Sequence, residues 1–117
     1  MAAPYHEAGL SEETRDLHRA IASLVEELEA IDWYQQRVDI TKDESLKGLL
    51  AHNRDEEIEH AVMALEWLRR RLPLLDQHLR TYLFTTEPIH EMHEENTEGD
   101  PPAGSSSGDL GIGRIEK

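Results

Sequence analysis

The stretch N-R-D-E-E-I-E-H, Asn53 to His60, sets a carboxylate and an imidazole three residues apart, at Glu57 and His60. Residues three apart on a helix share a face, so the flanking pattern decides what this pair means. Leu46, Leu50, Ile58, Ala61, Leu65, Leu68 and Leu72 run along one side of the segment at helical spacing. Thr41-x-x-Glu44 reads as a capping box that opens this helix. Gly48, near its start, weakens the pattern only slightly. Pro73 marks its end, or else the first position of the next helix.

Upstream, Ser11 reads as an N-cap, with Glu12 and Glu13 in the first turn where the helix dipole favours them. Leu17, Ile21, Leu24, Leu28 and Ile31 then recur at steps of four and three. This is an apolar stripe of the bundle or coiled-coil kind, in a helix expected to run to about Val38. Its length is roughly 40 Å. Asp39 and Ile40 read as a short break, and residues 1–10 as a loose arm. Downstream, Leu74 to Phe84 reads as a third, short helix, closing a helical domain over residues 11–85. Residues 86–108 collect Glu, Asp, Pro, Gly and Ser and read as a disordered linker. Leu110, Ile112 and Ile115 reappear in the last segment, 109–117. A small apolar cluster there has no core of its own to join, so it is either leftover sequence or a docking peptide.

The fold class is therefore all-α: two long antiparallel helices and a short C-terminal one. Two long helices cannot bury both sides of their stripes against each other and a short third. Dimerisation into a four-helix bundle is the simplest closure, and a monomeric three-helix hairpin is the other.

Composition narrows the function. The 117 residues carry 25 Asp and Glu against 12 Lys and Arg, a formal charge of -13. That balance disfavours a nucleic-acid partner, which calls for clustered basic residues, and suits a protein that attracts cations. There is no cysteine, so disulfides and thiolate metal sites are excluded. No apolar run approaches the roughly 20 residues of a membrane span. No signal peptide is evident, so a cytoplasmic location is expected.

Glu57 falls near the middle of the second helix's stripe, with His60 and Asn53 on the same flank. A carboxylate there is costly unless it is paired or binds metal. Taken alone, Glu57 is equally read as the partner of Arg54 or of another arginine. Glu27 lies at the margin of the first stripe, and alone reads as an ordinary surface carboxylate. Tyr34, seven residues on, shares its face. His60 alone reads as a satisfied or surface histidine. As a set they make a stronger case. Di-iron carboxylate bundles take a lone Glu from each of two helices and Glu-x-x-His from each of the other two. One chain supplies half of that, and two chains on a two-fold axis supply four Glu and two His. Glu57 would bridge two iron ions, with Glu27 and His60 as terminal ligands. Glu26 and Glu29 point away from the stripe, as a cation entry site or as a solvated acidic face. Trp33 and Trp67 are expected at helix contacts.

Several segments resemble the encapsulated ferritins: Glu26 to Tyr34 (E-E-L-E-A-I-D-W-Y), Ala51 to Glu57 (A-H-N-R-D-E-E), Glu59-His60, Leu65 to Arg70 (L-E-W-L-R-R) and His78 to Phe84 (H-L-R-T-Y-L-F). Asp109, Leu110, Gly111, Ile112 and Gly113 resemble the targeting peptide that docks cargo inside encapsulin shells. The resemblance implies a ferritin-like half-bundle with ferroxidase activity and a di-iron site at a dimer interface. It also implies a decameric ring of five dimers, housed in an encapsulin nanocompartment that stores the mineral. It assigns Glu27, Glu57 and His60 as iron ligands, Tyr34 as the neighbouring tyrosine, Glu26 and Glu29 as the entry site, and places the family's helix-two histidine at His52. Two rival readings are a non-catalytic helical adaptor that binds through its tail, and a di-manganese or other di-metal oxidase, since ligand types alone do not separate these metals.

Overall fold

The computed structural model describes residues 5–92, and these fall in two compact units that meet in sequence between Leu68 and Arg69. The chain order is α1 (Glu12–Ile40), α2 (Glu44–Arg71), α3 (Pro73–Tyr82) and a single 3-10 turn (Ile89–Glu91), with no strand among the described residues. The expected all-α class, with two long helices and a short one, is observed.

In the first unit, the Ser11 hydroxyl accepts the Thr14 amide at 3.1 Å, satisfying one of the four unpaired donors at the start of α1. The expected break at Asp39 and Ile40 is absent, because nothing there opposes a helix: α1 continues to Ile40. It is Thr41 that ends it, with both its amide and its hydroxyl donating to the Arg37 carbonyl. Thr41 therefore closes α1 and does not open α2. The opening cap belongs to Asp43, whose carboxylate accepts the Leu46 amide at 2.8 Å. Only residues 41–43 separate the two helices, a connection short enough to force antiparallel neighbours. The contacts agree: Glu27 meets His60, and Gln35 meets Arg54, so partners descend along α2 as α1 ascends.

Burial in the described residues is sparse. Ala61, 6 % exposed, and Leu68, 3 % exposed, are the fully buried apolar side chains. Ile21 and Leu28 of the α1 stripe stay exposed, as do Ile58, Val62 and Met63 of α2. Trp33, expected at a helix contact, is 56 % exposed, because its face of α1 is not covered by any other helix among the described residues. A shallow groove of about 320 Å³ along that face is lined by Trp33, Gln36, Arg37 and Ile40. These residues, at i, i+3, i+4 and i+7, form a stripe without a partner helix among the described residues. At the other end of α1, Tyr5 folds back so that its ring lies 4.7 Å from that of His18. The arm expected to be loose is thus tethered at one aromatic.

In the second unit, Pro73 takes the first position of α3, where its missing N–H costs nothing. The helix ends at Tyr82, earlier than the expected Phe84, since Leu83 is the cap. Phe84 is fully exposed and holds a positive φ of 62°. The buried Thr81 returns its hydroxyl to the Gln77 carbonyl at 3.1 Å. Asp76 is the electrostatic hub, receiving Arg69 and, at 3.0 Å, the Arg80 Nε. Burial pushes its carboxyl upward, but the hydrogen bonds from Arg80 and Arg69 outweigh that and hold it below the usual range. Stability from a lowered carboxylate is present above the unfolded value of about 3.9 and is lost as pH falls through the folded one. Asp76→Asn should therefore cost about 1–2 kcal/mol at neutral pH, a modest figure because Arg80 is largely exposed. The difference from wild type should vanish in strong acid, as read by urea unfolding at both pH values. The segment expected as a linker over 86–108 opens with the 3-10 turn, and its residues beyond Met92 lie outside those described.

Candidate metal centre

Three side chains from the first unit converge. Glu27 comes from the middle of α1; Glu57 and His60 come from α2, one turn apart. His60 Nδ1 lies 3.4 Å from Glu57 Oε1 and 3.7 Å from Glu27 Oε1. One ligand atom from each residue lies within 4.8 Å of the others, and this is the cluster of metal-ligating type found among the described residues. The two carboxylate side chains are 26 % exposed and the imidazole 46 %. They are shielded enough to strengthen Coulomb forces, yet open enough for a cation to enter.

The electrostatics of the cluster are compatible with a bound cation. The Glu27 carboxyl is pushed up, first by its hydrogen bond with the Glu57 carboxyl, then by desolvation and by the Glu57 charge; His60 pulls the other way. Two carboxylates this close cannot both ionise cheaply. A divalent cation removes the conflict by replacing the shared proton. Cations of zinc size bind oxygen and imidazole nitrogen at roughly 2.0–2.2 Å, which places neighbouring donors about 3–4 Å apart. The 3.4 and 3.7 Å separations already match that. Hard carboxylate oxygens with one imidazole suit iron, manganese or zinc. Three donors from one chain leave any of these ions incompletely coordinated.

The residues singled out from sequence divide clearly. Glu57 does not pair with Arg54. That guanidinium instead donates to Gln35 on α1 at 2.8 Å and to Asp55 at 3.0 Å. Tyr34 is half-buried, with the Arg37 guanidinium 5.4 Å from its ring centroid. Glu26 is exposed, but Glu29 is half-buried, turned further inward than the stripe geometry suggests, and neither joins the cluster. His52 faces Glu56 one turn on, at 3.3 Å. His90 sits 3.7 Å from Glu91, and His78 stacks on Tyr82. Asp109 to Gly113 lie outside the described residues. The Gln35–Arg54 bond escaped sequence reading. Its one signal was a glutamine eight residues past Glu27, too ordinary to single out.

A model of the EncFtn-like family matches residues 3–86, which takes in all three helices and every residue of the cluster. The chain belongs to the EncFtn-like family. This EncFtn-like chain is 54 % identical to a ferritin-like protein of Thermotoga maritima, over 98 % of its own length and all of the relative's. It is 51 % identical to an encapsulated ferritin-like protein of Rhodospirillum rubrum, covering 92 % of this chain and 82 % of that one. A more distant relative, an encapsulin nanocompartment cargo protein of Myxococcus xanthus, is 35 % identical over 85 residues. Among solved structures, a crystal structure of a Nitrosomonas europaea protein aligns with a TM-score of 0.73 at 61 % identity, covering 74 % of this chain and 98 % of that one.

Proposed function

We propose that this chain is a ferroxidase whose active site is assembled from two copies. The observation that carries the proposal is the convergence of Glu27, Glu57 and His60, three ligands where a di-iron site needs six. A second copy on a two-fold axis supplies the rest. The exposed Ile21, Leu28, Ile58 and Val62 would then be covered, as the third and fourth helices of a bundle require. Two ferrous ions are the substrate, each giving one electron to dioxygen. Glu57 bridges them, and Glu27 and His60 Nδ1 hold each from the side. The four carboxylates balance the ions' charge, and the half-open site leaves positions for oxygen. Tyr34 stands on the α1 face of Glu27 to hydrogen-bond or exchange an electron near the metal. Glu26 and Glu29 collect incoming iron.

The relatives support a compartment. Two of them are described as encapsulated or as encapsulin cargo. On this reading Asp109, Leu110, Gly111, Ile112 and Gly113 dock the chain inside an encapsulin shell in the cytoplasm. Dimers close into a decameric ring there, and the shell stores the ferric mineral.

Anaerobic titration with Fe²⁺ tests the site. Binding should saturate at about one iron per chain, two per subunit pair, and admission of oxygen should convert it to the ferric state. No stoichiometric binding by an intact oligomer would instead favour the adaptor reading. Preferential Mn²⁺ retention would favour a manganese oxidase.

A further inference from the structure

We infer that the hydrogen bond between Arg54 and Gln35 is a register clamp that holds Glu27 opposite Glu57 and His60 and keeps the Arg54 guanidinium off the metal ligands. The inference rests on the metal-centre reading above.

Arg54 lies one turn before Glu57 on α2, and its side chain is only 25 % exposed. In that place a guanidinium would ordinarily seek the neighbouring carboxylate and occupy the oxygens that a cation needs. It is turned away by two partners. Its Nε donates to Asp55 Oδ1 at 3.0 Å, its Nη2 forms an ion pair with the same oxygen at 2.9 Å, and its Nη1 donates across to Gln35 Oε1 at 2.8 Å. Asp55 fixes the guanidinium on its own helix, and Gln35 fixes it to α1.

Register is the second consequence. Apolar contacts between α1 and α2 are weakly directional, and so few of their side chains are fully buried that packing alone sets position loosely. A slip of one residue moves a helix by 1.5 Å and turns it by about 100°. Either motion would carry Glu27 away from His60. A directional bond to a planar, rigid fork resists both. Gln35 and Arg54 are thus positioning residues: they act through Glu57, Glu27 and His60 and ligate nothing.

Gln35→Ala removes the clamp without changing net charge, so metal affinity in the metal-free, full-length protein is the discriminating readout. Co²⁺ is the probe, followed by its visible absorption. Gln35→Ala should weaken Co²⁺ binding about tenfold, the low end for losing a partner behind the ligands, with helicity preserved. Gln35→Leu, which keeps the bulk, should show the same loss. Gln35→Glu, whose carboxylate accepts the same bond, should bind at least as well as wild type. In an Arg54→Ala background, Gln35→Ala should have no further effect, because the bond is already gone. The inference is overturned if Gln35→Ala and Gln35→Leu bind within about twofold of wild type, or if Gln35→Ala costs the same factor with and without Arg54. Wild-type binding that survives Glu57→Ala unchanged would overturn the metal-centre reading itself, and the clamp with it.

Discussion

Rapid oxygen-dependent oxidation of Fe²⁺ should disappear in both Glu57→Ala and His60→Ala, with a rate loss beyond about 100-fold, since even partners behind a ligand commonly cost 10–100-fold. The two substitutions fail for different reasons. Glu57→Ala removes the proposed bridge and the hydrogen bond that raises Glu27. What remains is an imidazole and one carboxylate, too little charge to hold two cations together. His60→Ala leaves the carboxyl pair intact, still able to share a proton, but removes the nitrogen facing both oxygens. Iron would then bind weakly, and the metal-free protein should keep its helical content. The check is the absorbance rise on mixing Fe²⁺ with oxygenated protein, alongside circular dichroism. Full activity in both variants would remove the assignment of this cluster.

Deleting residues 109–117 should have the opposite profile. Oxidation should proceed at the wild-type rate, because α1 and α2 supply every proposed ligand. Co-purification with a co-expressed encapsulin shell protein should be lost. Asp109-Leu-Gly-Ile-Gly offers few apolar side chains, so a single tail would bind modestly. Several tails presented by one oligomer would bind far more tightly through effective concentration. On the proposed reading, the shell would therefore select assembled oligomers over stray chains. Undiminished co-purification of the truncated protein would move the docking element elsewhere.

The sequence carried the helices well where a residue's local chemistry decides the outcome. Ser11 had no competitor as the cap of α1, and Glu57-x-x-His60 could share a face only on a helix. It failed where two residues offer the same chemistry a short distance apart. Thr41 and Asp43 are both cap formers, and the choice between them depended on where α1 ran out of hydrogen-bonding room, at the Arg37 carbonyl. The meeting of Glu27 with the α2 pair was legible from periodicity and resemblance together. The direction of Arg54 was not: a long side chain can reach several turns of the facing helix, and only the pairing of α1 with α2 selects Gln35. Tyr5 was likewise hidden, because a single aromatic in a polar arm leaves no period to read.

The sparse interior has a consequence for timing. With so little apolar surface sealed among the described residues, each copy in the proposed dimer would act as the stabilising ligand of another, and the folded population would rise by mass action as chains accumulate. On the proposed reading, oxidation capacity then grows roughly as the square of synthesis at low expression. Newly made, dilute chains would then handle no iron, so ferric products would not precipitate out of place. Activity would switch on as the protein becomes crowded, which is the condition inside a container.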